Sequence, residues 1–102
     1  MTPMPNDIAR AVEQFVRTAF LVPDGDASFH RDAHLYDGGF VDSAGVVELI
    51  AFLESAFDMV LEDDDVFDDT FTTINGIAAV VHRRLVAHPL TRARRSVAPG
   101  AP

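Results

Sequence analysis

The sequence has no cysteine and no long apolar run, and both absences exclude classes of function. Without cysteine the chain has no disulfide, no thiolate metal ligand and no thiol nucleophile. No apolar run approaches the roughly 18 residues that a membrane span needs, and residues 1–10 lack the basic and apolar segments of a signal peptide. We therefore expect a soluble, cytoplasmic protein that does not associate with membranes.

Basic residues are also scarce. The chain holds 8 basic residues, all of them arginine, against 16 acidic ones, so its net charge is −8. Residues 1–69 carry every acidic residue and a charge of −13, whereas residues 70–102 carry five arginines and no acid. A nucleic-acid backbone requires a basic surface, so nucleic acid is not an expected partner. An acidic surface favours basic protein partners instead.

The residues that are present suit one small globular domain. The 102 residues, 48% of them hydrophobic, are enough for a single core and too few for a second domain. We assign residues 6–88 to this domain and expect it to be a monomer. Residues 89–102 combine a polar composition with proline, glycine and three arginines, so we expect a disordered tail there.

Apolar residues recur at helical spacing in three segments of the chain. The repeating positions are Ile8, Val12, Phe15, Val16 and Ala19; Val46, Leu49, Ile50, Leu53 and Phe57; and Ile74, Ile77, Ala78, Val81 and Leu85. Asn6 or Asp7 is a suitable N-cap for the first segment, and Thr72 or Thr73 for the last. A short helical turn is expected near residues 64–68. The pattern predicts an all-α fold, a small four-helix bundle of three main helices and a short third one.

A long connection, from Pro23 to Asp42, separates the first two predicted helices. Such a loop is unusual in a small domain and needs either a function or an anchor. Five apolar residues are spread along it, and we expect them to pack against the helices. They are Phe29, Leu35, Tyr36, Phe40 and Val41.

Asp42 and Ser43 stand where this loop meets the second helix. An Asp-Ser pair before an apolar run is an ordinary helix cap. A serine in this position is also exposed, and it lies beside backbone N–H groups that favour an attached phosphate. The junction is therefore either a cap alone or a site of phosphoryl chemistry performed by another enzyme.

Ser43 also opens a series of short motifs at fixed spacing. They are Asp42-Ser43-Ala44, Val47-Glu48-Leu49, Leu53-Glu54 and Phe57-Asp58, followed by the acidic residues 62–65. This series resembles the acyl carrier protein family, the phosphopantetheine-binding carriers of fatty-acid, polyketide and nonribosomal peptide pathways. Ala44 stands where most of the family has leucine. The resemblance covers roughly residues 6–88 and implies a four-helix bundle with a long first loop.

The resemblance implies a stand-alone carrier with no catalytic activity of its own. Ser43, with Asp42 beside it, would receive 4′-phosphopantetheine from coenzyme A through a phosphopantetheinyl transferase. The thiol of that arm would hold acyl or aminoacyl groups as thioesters, which an acyl-loading ligase or an acyltransferase supplies and other pathway enzymes use. The docking surface for these partners would be the outward strip of the second helix, formed by Ala44, Val47, Glu48, Ala51 and Glu54.

Other interpretations of these residues stay open. The outward strip is also typical of an ordinary solvated helix face, and it suits an unmodified, acidic helical protein-interaction domain. Residues 62–69 lack the glycine and the distal glutamate of an EF-hand loop, so we expect a solvated acidic loop there. His30 and His34, without a carboxylate on a regular helix, do not make a zinc site, so no metal is expected.

Overall fold

The computed structural model describes residues 2–87, and these residues form four α-helices and no strand. The helices are α1 (Pro5–Ala19), α2 (Ser43–Phe57), α3 (Asp63–Val66) and α4 (Ile74–Ala87). α1 packs mainly against α4 and also against α2. The all-α prediction and the order of three main helices and one short helix are confirmed. His88 and the predicted tail at 89–102 lie outside the described residues.

α1 begins earlier than the sequence predicts. Its N-cap is Met4, whose carbonyl oxygen accepts the N–H groups of Asp7 at 2.9 Å and of Ile8 at 3.1 Å. The prediction of an Asn6 or Asp7 cap is wrong, because Pro5 occupies the first turn. Proline has its φ fixed near the helical value and lacks the N–H that would be unpaired there, so it suits that position without a side-chain cap.

The core is built from the predicted helical stripes of the three main helices. Ile8, Leu49 and Leu53 have no exposed surface, and all five predicted positions of α4 are buried together with Val80. The outer members of the α1 and α2 stripes lie at the edge of the core, where they are half-buried or, for Ala19, exposed. They are Phe15, Ala19, Val46, Ile50 and Phe57.

The long connection is anchored by its apolar residues, as predicted. Leu35 is fully buried, and its N–H donates to the Thr72 carbonyl oxygen at 2.8 Å. The Tyr36 hydroxyl donates to the Phe71 carbonyl oxygen at 2.8 Å, and burial raises the pKa of this phenol. These bonds join the loop to the segment before α4. The side chain of Thr73 then caps α4, accepting the Gly76 N–H at 2.9 Å.

A second attachment holds the loop to α1. The Arg31 guanidinium donates from Nε to Oε1 of Glu13 at 3.0 Å and from Nη1 to Oδ1 of Asn6 at 2.7 Å. Arg17 binds the other oxygen of the same carboxylate at 3.1 Å. The hydrogen bond from Arg31 lowers the pKa of Glu13, with Arg17 acting in the same direction. Polar contacts therefore complement the apolar anchors.

The acidic connection after α2 is not the wholly solvated loop that its composition indicates. Glu62 and Asp65 form a capping box at the start of α3, in which Asp65 Oδ2 accepts the Glu62 N–H at 3.0 Å. Asp65 is only 8% exposed. It accepts a hydrogen bond from Nη2 of Arg84 on α4. A buried carboxylate needs such a partner, and the partner lies 19 residues away in the sequence.

Candidate functional site

The start of α2 gives Asp42 and Ser43 different tasks. Asp42 is the N-cap, and its Oδ1 accepts the Gly45 N–H at 2.7 Å. Ser43 is the first residue of the helix and is exposed. No hydrogen bond joins its hydroxyl to another residue within 2–87. The aspartate side chain alone caps the helix, and the serine hydroxyl takes no part in the capping.

The neighbourhood of Ser43 suits a negatively charged group. The N–H groups of Ser43 and Ala44 lie in the first turn, where no helical carbonyl accepts from them. These N–H groups and the positive end of the helix dipole favour an anion such as a phosphodiester. The small, exposed side chain of Ala44 leaves access to the hydroxyl open.

Gly45 fixes this end of α2 against α1. It is buried, and a Cβ atom there would lie 2.7 Å from Cε1 of Phe20 and 3.1 Å from Cγ1 of Val41. Only a residue without a side chain lets the Phe20 ring pack so closely on the first turn. Any side chain at position 45 would require this ring to move.

The five residues predicted as a docking strip do not share one environment. Ala44, Val47, Glu48 and Ala51 are exposed on α2, as expected. Glu54 is half-buried, and its Oε2 accepts the Leu61 N–H at 2.8 Å. This carboxylate stabilises the connection after α2, so it is less available to a partner than the Glu48 carboxylate.

A groove between α1 and α2 is the feature of this surface that the sequence did not reveal. The rings of Phe15 and Phe52 stack at its floor with centroids 4.3 Å apart. Its volume is about 600 Å³, and the remaining lining residues are Ala19, Glu48, Ala51, Ser55 and Ala56. In the sequence, only the position of Phe15 at the edge of a core stripe pointed to this groove. Which residues of α1 and α2 meet depends on tertiary packing, and helical periodicity does not show it.

Comparison with known proteins decides the family. A D-alanyl carrier protein of Streptococcus sanguinis is 35% identical over 71 residues, which cover 70% of this chain and 86% of that protein. A D-alanyl carrier protein of Streptococcus thermophilus is 42% identical over 52 residues, 51% of this chain and 66% of the relative. The chain belongs to the carrier protein family of the acyl carrier type. Carrier proteins are not enzymes. No family model and no solved structure matches the chain.

The stretch of sequence that contains α2 is strongly acidic. Between Arg31 and Arg83 the chain has no lysine or arginine and 12 of its 16 acidic residues. α2 itself has no basic residue. An excess of negative charge in this part of the chain favours basic partners over acidic ones.

The histidines of the long loop stabilise turns and do not share a helix face. His30 Nδ1 accepts the Asp32 N–H at 3.2 Å, and His34 Nδ1 accepts the Asp37 N–H at 3.0 Å. Within residues 2–87 no group of three or more histidine, aspartate or glutamate side chains is arranged to hold a metal ion. None of the helices in the same range is both long and apolar enough to cross a membrane.

Proposed function

We propose that Ser43 of this carrier protein receives 4′-phosphopantetheine and that the arm holds acyl or aminoacyl groups as thioesters. The observation that supports this proposal is that Asp42 caps α2 and Ser43 does not. Asp42 satisfies the Gly45 N–H, and the exposed Ser43 hydroxyl remains unengaged by any residue of the described part. A serine that merely capped the helix would itself accept such an N–H group.

The residues present fit the proposed group. A phosphodiester on Ser43 would lie next to the unpaired N–H groups of the first turn, in a position favoured by the helix dipole. The arm supplies a thiol, the reactive group that a chain without cysteine lacks. Buried Gly45 and the Phe20 ring hold the first turn in place, so the attachment point is presented in a fixed direction.

The names of the relatives bear on the cargo. Two relatives are D-alanyl carrier proteins, and we therefore propose a D-alanyl group ahead of a fatty acyl, polyketide or other peptide-pathway intermediate. The partners would be a phosphopantetheinyl transferase and a ligase that activates the cargo. To test this preference, the modified carrier is incubated with ATP, D-alanine and a D-alanine-activating ligase. Parallel reactions contain L-alanine, or a fatty acid with its own ligase. The intact mass of the carrier then shows which group has been loaded.

The attachment site is tested by expressing the chain beside a phosphopantetheinyl transferase and measuring the intact mass. The parent should gain one phosphopantetheine, and Ser43→Ala should gain none. Because Asp42 caps the helix, Ser43→Ala should change the free energy of unfolding by less than about 0.5 kcal/mol. Ser55→Ala, at an exposed serine of the same helix, is the matched control and should be modified like the parent.

The possible results separate the hypotheses. Modification of Ser43→Ala would show that another serine carries the group. An unmodified parent, with the transferase active on a reference carrier, would favour the different class of function, an unmodified acidic interaction domain.

A further inference from the structure

The end of α4 lies directly against the acidic segment that contains α3. Arg84 binds Asp65, and Nη2 of Arg83 lies 3.5 Å from Oδ2 of Asp68. Ala87, the last residue of α4, lines a cavity of about 220 Å³ together with Asp65. The chain that follows α4 therefore starts beside this segment.

The acidic segment, residues 58–69, keeps an excess of negative charge after these contacts. It holds seven acidic residues and no basic one. Asp63, Asp64 and Asp69 are exposed, and none of their carboxylates has a cation partner within residues 2–87. A cation for these carboxylates must therefore come from outside the described part of the chain.

Apolar surface is exposed on both sides of the Asp68–Arg83 pair. Phe67, which precedes Asp68, is 81% exposed, and Val86, one helical turn after Arg83, is 56% exposed. An aromatic ring that stands between carboxylates without cations suits an occupant that is both apolar and cationic, because such an occupant buries the ring and pairs the acids together.

The residues that follow α4 have the complementary charge. Residues 88–102 contain three arginines and no acidic residue, whereas residues 1–87 contain 16 acidic residues and five arginines, a charge of −11. The eight residues from Ala87 to Arg95 can span at most roughly 29 Å. The four residues of α3 are about 6 Å long, so the arginines can reach every part of this short helix.

The order of residues in the same stretch also suits the exposed face. Pro89 has no N–H group and disfavours the continuation of α4, so an extended chain is expected after it. Side chains alternate along an extended chain, which places Leu90, Arg92 and Arg94 on one face. This face thus carries one apolar side chain followed by two cations.

We propose that residues 88–95 bind to the acidic segment of the same molecule. Leu90 covers the exposed ring of Phe67, and the arginines that follow pair with the exposed carboxylates beside it. The composition of residues 89–102 predicts disorder for a free tail, so the contact is mainly electrostatic and weakens as salt is added. A partner that binds this face has to displace the tail first. The contact does not depend on modification of Ser43.

The absence of cysteine makes a spin-label experiment specific. Ser96→Cys gives the full chain a single thiol, and a nitroxide attached there broadens the NMR signals of amide groups close to the tail. Signal intensities of the ¹⁵N-labelled protein are compared with the nitroxide oxidised and reduced. Circular dichroism shows that each variant is folded.

We expect the amide signals of residues 62–69 to lose at least about half of their intensity at about 0.01 M salt and to recover it at about 1 M salt, because the Debye length falls from about 30 Å to about 3 Å. Replacing the three tail arginines by glutamine should abolish most of this loss at low salt. Phe67→Ala should also reduce the loss. Leu21→Ala, at a leucine after α1 that is 84% exposed, is the matched control and should leave it unchanged.

Two results would overturn the proposal. A tail that is merely tethered to α4 would broaden the signals of residues 62–69 to the same extent in the glutamine variant and at high salt. In a second sample the nitroxide is on an unlabelled chain and the ¹⁵N label is on a chain without nitroxide. Signal loss there, as strong as within one molecule, would show that the tail binds a second copy instead of its own α3.

Discussion

The buried ion pair between Asp65 and Arg84 should contribute more to stability than any surface ion pair of this carrier. Asp65 is 8% exposed, and the Arg84 side chain is 18% exposed. The same carboxylate closes the capping box of α3 by accepting the Glu62 N–H. One side chain therefore holds the short α3 in shape and also fixes it against α4.

The expected effect of Asp65→Ala follows from these contacts. Removing one partner of a buried ion pair costs about 3–5 kcal/mol, because the remaining charge is left without compensation. Here the cost should fall near the lower limit, since Arg84 retains Glu62 at 3.8 Å and some access to water. Loss of the capping bond adds about 1 kcal/mol. We expect a loss of about 4 kcal/mol, which corresponds to a Tm decrease of about 15–30 °C in a domain of this size.

The assay is urea unfolding followed by far-UV circular dichroism. Asp64→Ala, at an exposed position of the same helix, is the matched control and should cost less than about 1 kcal/mol. A double-mutant cycle of Asp65→Ala with Arg84→Met should give a coupling energy of about 1–3 kcal/mol. If Asp65→Ala were no more destabilising than Asp64→Ala, the argument from a buried charge would be refuted.

Two further predictions concern the core and the loop attachment. Leu53 is fully buried, so Leu53→Ala should lower the free energy of unfolding by about 2–5 kcal/mol. Val47→Ala, at an exposed position of the same helix, is the control and should cost less than about 0.5 kcal/mol. Equal melting temperatures of the two variants would mean that the core face of α2 is misassigned. The hydrogen bond from Arg31 lowers the pKa of Glu13, so its stabilisation is complete above the usual carboxyl value near 4.5 and is lost as the pH falls through the lower folded value. The stability difference between the parent and Glu13→Gln should therefore shrink below pH 4.5, and a difference that stays constant would contradict this assignment.

Sequence patterns predicted those parts of the fold that depend on local spacing. The helical stripes, the Thr73 cap and the anchoring of the loop by Leu35 need only the positions of apolar and capping residues along the chain. The start of α1 was misplaced because Asn6 and Asp7 are good caps in isolation, while Pro5 in the first turn makes the Met4 carbonyl the starting point. The fixed φ angle of Pro5 therefore determined the start of the helix, and the capping tendency of Asn6 and Asp7 did not.

Contacts between distant residues were beyond the reach of the same patterns. Nothing near Asp65 in the sequence marks it as buried, because its partner Arg84 comes from α4. In the sequence Glu54 resembles an exposed acidic residue of a helix. In the structure the chain turns back after α2, and the Leu61 N–H donates to the Glu54 carboxylate. For the candidate site this means that Ser43, Asp42 and the outward strip stay predictions from the sequence, and that the sequence could not show which members of that strip stabilise the fold.

The proposed attachment point and the groove share one packing contact. Gly45 allows the Phe20 ring to lie on the first turn of α2, which fixes the C-terminal end of α1 beside the helix that carries Ser43. The same approach of α1 brings Phe15 over Phe52 and so forms the floor of the groove. A Cβ atom at position 45 would lie 2.7 Å from Cε1 of Phe20, so the ring would have to move. Because the Phe20 ring lies between the first turn of α2 and the end of α1, we expect a substitution of Gly45 to affect both the presentation of Ser43 and the shape of the groove.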